Sequence, residues 1–209
     1  MPDQHSRATI GWIPAWADLQ ERPVAPADSG FILEGGAGTE FVTSLPGPDA
    51  AQLVAGQSGE GVVRLTLVSA DAGTAAGPAP SGFSTAGEGV LLMAPTAELN
   101  VDAGLPETSQ VAQAPMETYD AVEITVFDRP VAKGRIQVRD DFAVVAITEL
   151  PDGPERGDFE RALFAAMAEE AFLHGAEYLH MVVQPSDAAR YEGSGWTAAA
   201  RLLAYAKQR

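Results

Sequence analysis

From Asp120 onward, polar and apolar positions are arranged so as to predict discrete elements. Val122, Ile124 and Val126 alternate with polar partners, "FDRP" turns the chain, and Ala132, Gly134, Ile136 and Val138 continue the alternation in a second strand. After the turn "RDD", Phe142–Ile147 is apolar at every position, as expected of a central strand buried on both faces. Phe159, Leu163 and Met167, with Ala162 and Ala166 beside them, share one helical face that stops at His174-Gly175. Tyr178–Val183 reads as a short apolar strand, Asp187–Tyr191 as a brief helix and Thr197–Ala206 as a last strand. The order β-β-β-α-β-α-β predicts a mixed, mostly antiparallel α/β sheet flanked by helices.

The first half has a weaker pattern. Gly30–Gly36 and Glu40–Leu45 read as two short strands, Gly47–Gly56 as a short helix and Gly61–Ala70 as a β-branched strand. Asp71–Gly82 is punctuated by Pro and Gly as a loop, and Glu88–Leu99 contains another strand. Asn100–Asp120, broken by Pro106 and Pro115, reads as a linker. The expected division is a smaller α/β N-terminal part, residues 1–105, and a core, residues 115–209.

Composition narrows the function classes. The chain has 209 residues, enough for one large domain or two small ones, and no cysteine, which removes disulfides, thiolate nucleophiles and cysteine metal sites. Its apolar runs are too short to span a bilayer, and the N-terminus lacks a signal-peptide pattern, so a soluble cytoplasmic protein is expected. The formal net charge is -16, of which -14 lies before Arg129 and only -2 after it. Such acidity opposes nucleic-acid binding; it is either a solubilising surface or a field that mildly favours cationic substrates. An anionic cofactor therefore belongs in the second half. No G-x-G-x-x-G follows the first strand and no G-x-x-x-x-G-K-[S/T] occurs, which argues against the Rossmann and P-loop folds. His5, His174 and His180 are too scattered for a metal site, so none is expected. Trp12, Trp16 and Trp196 read as packing anchors.

The stretch "FERALFAAMAEEAFLHGAEYLHMVVQPSDAARYEGSGW" carries a resemblance. With the meander before it, its helix, strand, short tyrosine-bearing helix and Gly-aromatic end resemble the GNAT superfamily of N-acetyltransferases over about Asp120–Ala206. The earlier "GFSTAGEGVLLMA" (Gly82–Ala94) is similar to the incomplete N-terminal half of two-part members. The resemblance implies acetyl transfer from acetyl-CoA to a primary amine of a small molecule or peptide, by direct attack without a covalent intermediate. A homodimer is compatible with it, and no membrane partner is expected. It implies Tyr191 as general acid and Glu149 as the base, acting through water. Backbone amides of Val144, Val145, Ala146 and Ile147 would hold the pantetheine arm and Arg156 and Gly157 the pyrophosphate, while Ser186 or Asp187 stands where asparagine is common in the family, Asp187 being a further cofactor-binding candidate.

The loop Leu150–Leu163 departs from the family's Arg/Gln-x-x-Gly-x-Gly/Ala. Arg156-Gly157 matches its start, but Phe159 or Glu160 replaces the second glycine, and the loop is one residue longer. Asp158 and Glu160 put negative charge near an anion site; two like charges about 4 Å apart at an effective dielectric near 20 repel by about 4 kcal/mol. Asp158 is equally an N-cap, with Arg161 facing solvent. His180 is either a base beside splayed strands or a satisfied sheet residue. The alternative function is a non-catalytic GNAT-fold binding or dimerisation protein that has lost acetyl-CoA binding.

Overall fold

A computed structural model of the chain describes residues 10–35, 38–45, 62–75, 77–99 and 105–207. The chain forms two compact units: Met1–Leu92 with Val182–Ala189 and Ala198–Arg209, and Met93–Met181 with Arg190–Thr197.

In the first unit, helix α1 (Ile13–Leu19) precedes β1 (Val24–Ala27), β2 (Gly30–Leu33), β3 (Thr39–Leu45), β4 (Val62–Ser69) and β5 (Phe83–Pro95). The strand order is β1-β2-β3-β4-β11-β5, where β11 is Thr197–Lys207. β1, β2 and β3 pair antiparallel, β3 and β4 parallel, and β4 and β11 antiparallel. Phe41, Leu65, Leu67, Phe83, Leu203 and Tyr205 form a core on one face. The expected strands at Gly30, Glu40, Gly61 and Glu88 are all present, and the described residues of Asp71–Gly82 form neither helix nor strand. The helix expected over Gly47–Gly56 lies outside the described residues. α1 and β1 had no alternation to betray them: "IPAWADL" carries a proline in its first turn, and "VAPA" is a four-residue edge strand.

A buried carboxylate joins three of these elements. Glu40, on β3, is 6% exposed; it pairs with Arg22 Nη1 at 2.6 Å and accepts a hydrogen bond from Thr66 Oγ1 at 2.6 Å. Arg22 also donates to the Glu34 and Leu33 carbonyl oxygens.

In the second unit, helix α2 (Thr96–Leu99) leads to β6 (Ser109–Pro115), β7 (Asp120–Val126), β8 (Arg129–Val138), β9 (Phe142–Glu149), helix α3 (Arg156–Leu173) and β10 (Tyr178–Val183). The order is β10-β9-β8-β7-β6. β6 through β9 pair antiparallel and β9 with β10 parallel, so the mixed, mostly antiparallel sheet is as expected. The β7–β8 turn is Phe127-Asp128, both in the left-handed region with φ 50 and 59, the geometry that matches strand twist in a two-residue hairpin. α3 lies on β7, β8 and β9 and buries Phe159, Ala162, Leu163 and Met167, whereas Ala166 is half-buried. It ends at the His174 cap, and Gly175 turns away with φ 87. One expectation fails here. The presumed linker contains β6, an edge strand whose residues are nearly all exposed, so it shows no alternation.

Removing Arg22 would strand the Glu40 charge in the core. Arg22→Ala is expected to lower the free energy of unfolding by about 3–5 kcal/mol, read from urea denaturation at pH 7. A loss below about 1 kcal/mol would mean that Glu40 is solvated.

Candidate active site

The parallel ladder between β9 and β10 has three residue pairs, Tyr178↔Phe142, Leu179↔Ala143 and His180↔Val144. β9 nevertheless runs on to Glu149, held from Val145 onward by its register with β8. Val144 and Val145 are buried, while Ala146 and Ile147 are half-buried. Beyond Glu149 the chain turns through Gly153, whose φ of 112 excludes a side chain conformationally although the space around it is open. It then enters α3. The Arg156 N–H bonds to the Gly153 carbonyl and the Asp158 and Phe159 N–H groups to that of Glu155, while the Gly157 N–H has no acceptor among the described residues.

Asp158 does not cap α3. The cap position is Glu155, without a side-chain bond, and Asp158 lies within the first turn, where its carboxylate pairs with Arg161. Glu160 is likewise matched: its Oε1 receives Arg190 Nη2 at 2.6 Å and the Tyr191 hydroxyl at 2.8 Å. The two carboxylates that would repel an anion thus each have a guanidinium partner. Phe159 points into the core at 3% exposure and leaves the turn free.

Tyr191 closes the brief helix α4 (Pro185–Tyr191). Its carbonyl accepts both the N–H and the hydroxyl of Ser194, and Gly195, at φ 88, swings Trp196 inward. Phe164 of α3 meets Trp196 edge-on at 5.1 Å between centroids and Tyr191 at 6.1 Å. These three rings fix the phenol on the wall of a cavity of about 640 Å³. The cavity is bounded by the first two turns of α3 (Gly157, Glu160, Arg161, Phe164), by Glu98 and Leu99 of α2, and by Arg190, Tyr191 and the turn Gly193–Trp196. Burial pushes the Tyr191 phenol up to about 12; Arg190 works against that shift and Glu160 with it. The phenol is a proton donor throughout the neutral range.

The remaining sequence candidates are distributed differently. Glu149 is exposed at the end of β9 and paired with Lys133 Nζ at 2.9 Å, which raises the Lys133 pKa. Arg156 is exposed at the start of α3. Asp187 is an exposed residue in the first turn of α4, its N–H bonded to the Gln184 carbonyl, and it does not line the cavity. His180 stacks on Phe142 at 5.3 Å and has a buried Nδ1 without a partner. Burial, opposed by Asp141, lowers its pKa to about 4, too low for a base that must hold a proton near neutrality. Sequence reasoning cast Glu160 only as a source of repulsion and passed over Arg190 and Phe164. No spacing rule links positions 160 and 190, which meet only through the tertiary fold.

These features define an α/β protein with a helix connecting two parallel strands whose ladder stops short. No sequence-family model matches the chain, and no curated protein does. Solved structures do. A GCN5-related N-acetyltransferase from Kribbella flavida aligns over 94% of this chain and 95% of its own with a TM-score of 0.60 and 18% identity. A GNAT-family protein from Novosphingobium aromaticivorans aligns over 94% and 97%, with a TM-score of 0.54 and 16% identity. A tandem GNAT protein from the clavulanic acid biosynthesis pathway aligns over 95% and 94%, with a TM-score of 0.51 and 10% identity. The chain has the GNAT fold. Among the described residues, no helix is long and apolar enough to cross a membrane, and no cluster of three metal-ligating side chains occurs.

The His180 environment makes a testable demand on stability. Its folded-state pKa lies below the ordinary 6.5, so the neutral ring is favoured by the fold. That contribution is full above pH 6.5 and is lost as pH falls toward 4. The loss should approach about 3 kcal/mol across that interval. Urea denaturation at several pH values should show a shallower acid slope for His180→Gln than for the wild type; identical slopes would place the imidazole in water.

Proposed function

We propose that the chain is a GNAT-type N-acetyltransferase, moving the acetyl group of acetyl-CoA to a primary amine by direct attack. The observation that carries this reading is the Tyr191 hydroxyl, kept protonated by burial on a cavity wall beside the first turn of α3. The chain's residues fit the co-substrate. The turn at Gly153 is open, the Gly157 N–H is free to donate to an anion, and Asp158 and Glu160 are matched by arginines.

Bound acetyl-CoA supplies an activated thioester. Backbone groups of Val144–Ile147, from the last pair of the β9–β10 ladder onward, are the proposed seat of the pantetheine arm, and Arg156 and the Gly157 N–H that of the pyrophosphate. Tyr191 gives a proton to the departing thiolate. Glu149 takes one from the amine through water, once the amine displaces Lys133 as its partner. The acceptor is a small-molecule or peptide amine, and the acidity of the first half favours a cationic one.

A second reading has one observation behind it: the Tyr191 proton is already donated to Glu160 within the chain, as it would be in a GNAT-fold binding protein without turnover. Two measurements separate them. Acetyl-CoA at high micromolar concentration should raise the melting temperature, since a ligand of the native state must do so. Tyr191→Phe should reduce kcat for acetyl transfer by about 100-fold, the low end of general-acid effects, with little change in KM for acetyl-CoA. An unchanged melting temperature would leave the non-catalytic reading.

A further inference from the structure

Tyr191 does not face the cavity alone. One nitrogen, Arg190 Nη2, donates to both the Tyr191 oxygen and Glu160 Oε1, and the phenol donates to that same Glu160 oxygen. The arginine's carbon also lies 4.5 Å from the centroid of the Tyr191 ring. The Glu160 side chain is only 16% exposed, against 45% for Arg190. A half-buried carboxylate and a guanidinium therefore close a triangle on one phenol oxygen.

We infer that Glu160 and Arg190 are opposed positioning residues for Tyr191, Glu160 holding the proton on the phenol and Arg190 receiving the charge when that proton leaves. The inference rests on the acetyl-transfer reading. In the transfer step the Tyr191 O–H bond breaks, an S–H bond forms on the departing thiol, and the negative charge remains on the phenol oxygen. There it faces Arg190, which needs no reorganisation because its N–H already points at that oxygen. Solvent then returns the proton. The other charged groups around the cavity are Arg161, whose partner is Asp158, and Glu98 of α2. Neither has a hydrogen bond to the phenol. Packing by Phe164 and Trp196 could orient the ring without any of this, so a test must read the oxygen itself.

Tyrosine labelled with ¹³C at Cζ reports ionisation of each phenol by NMR, and Tyr191→Phe assigns the resonance. In the wild type Tyr191 should still be neutral at pH 11, where an ordinary phenol is about 90% ionised. Glu160→Gln, close in shape, should move its midpoint down by about one pH unit or more, and adding Arg190→Met should move it back up. A purely structural clamp predicts no such opposed shifts. If Glu160→Gln does not fold, Glu160→Asp, which draws the carboxylate away, should shift the midpoint in the same downward direction. A midpoint unmoved by the Glu160 variant, or moved the same way by both changes, overturns the inference. Arg190→Met alone should cut kcat about tenfold or more, with KM for acetyl-CoA within about twofold, and Arg190→Lys should recover part of the loss. Opposed shifts in a wild-type protein that neither transfers acetyl groups nor gains thermal stability from acetyl-CoA would overturn the proposed function, and with it the clamp's role in proton transfer. The kinetic and titration arms thus fail separately.

Discussion

The early end of the β9–β10 ladder is the constraint on which the site depends. Parallel strands need a long crossover, here the turn after Glu149 and the 18 residues of α3, so the pairing of β9 with β10 fixes where the helix begins. Had the ladder continued along β9, the backbone of Val145–Ile147 would be committed to strand pairing on both sides. Stopping at His180↔Val144 leaves five residues of β9 supported from β8 alone. α3 can hold this position because its buried face is interlocked with the sheet beneath it. Gly134 on β8 lies so close under Met167 that an added Cβ would stand 3.2 Å from the sulfur. A site on such a support inherits the rigidity of the core.

Charge at the entrance to α3 shows how magnitudes decide. Read from sequence, the carboxylates of Asp158 and Glu160 oppose an anion by about 4 kcal/mol, a large share of a micromolar binding energy. In the fold each carboxylate is spent on an arginine. The Asp158–Arg161 pair is largely exposed and adds little to stability, but it removes most of the local negative field. Glu160 is different. Being mostly buried, it would be costly without partners, and Arg190 and Tyr191 together satisfy one of its oxygens. What the sequence presents as a defect in an anion loop is, in three dimensions, a device that acts on the neighbouring phenol.

Legibility followed burial. β7, β8, β9, α3 and β10 could be read because each presents a buried face against an exposed one, or is buried on both, and the residues register that difference with period 2 or 3.6. β6 has both faces in solvent and is built of Ser, Gln, Ala, one Val and a closing Pro115, so nothing in it distinguishes a strand from a linker. The Glu40–Arg22–Thr66 cluster was equally invisible, since a glutamate in a strand looks like a solvent-facing position until its partner 18 residues earlier folds over it. Tyr191 was legible as a candidate because an aromatic after an apolar strand and before Gly-Trp is a local signal. Its partners were not, because Glu160 lies 31 residues away and only the packing of Phe164 against Trp196 brings them together.

No sequence repeat is visible, yet the two units repeat a topology. In each, a strand pairs antiparallel with the strand before it and parallel with the strand after it: β2, β3 and β4 in one, β8, β9 and β10 in the other. They differ where it matters. The β3–β4 ladder has seven pairs and runs to the last residue of both strands, so its backbone is consumed by pairing, and a charged cluster around Glu40 is sealed into it. The β9–β10 ladder stops after three. A backbone that is fully paired has no amides left to offer a ligand, and reopening it would forfeit those hydrogen bonds in a water-poor setting, where each unsatisfied group is costly. Between these two ladders, the one in the second unit leaves strand backbone free on one side, from Val145 to Glu149, for a ligand to use.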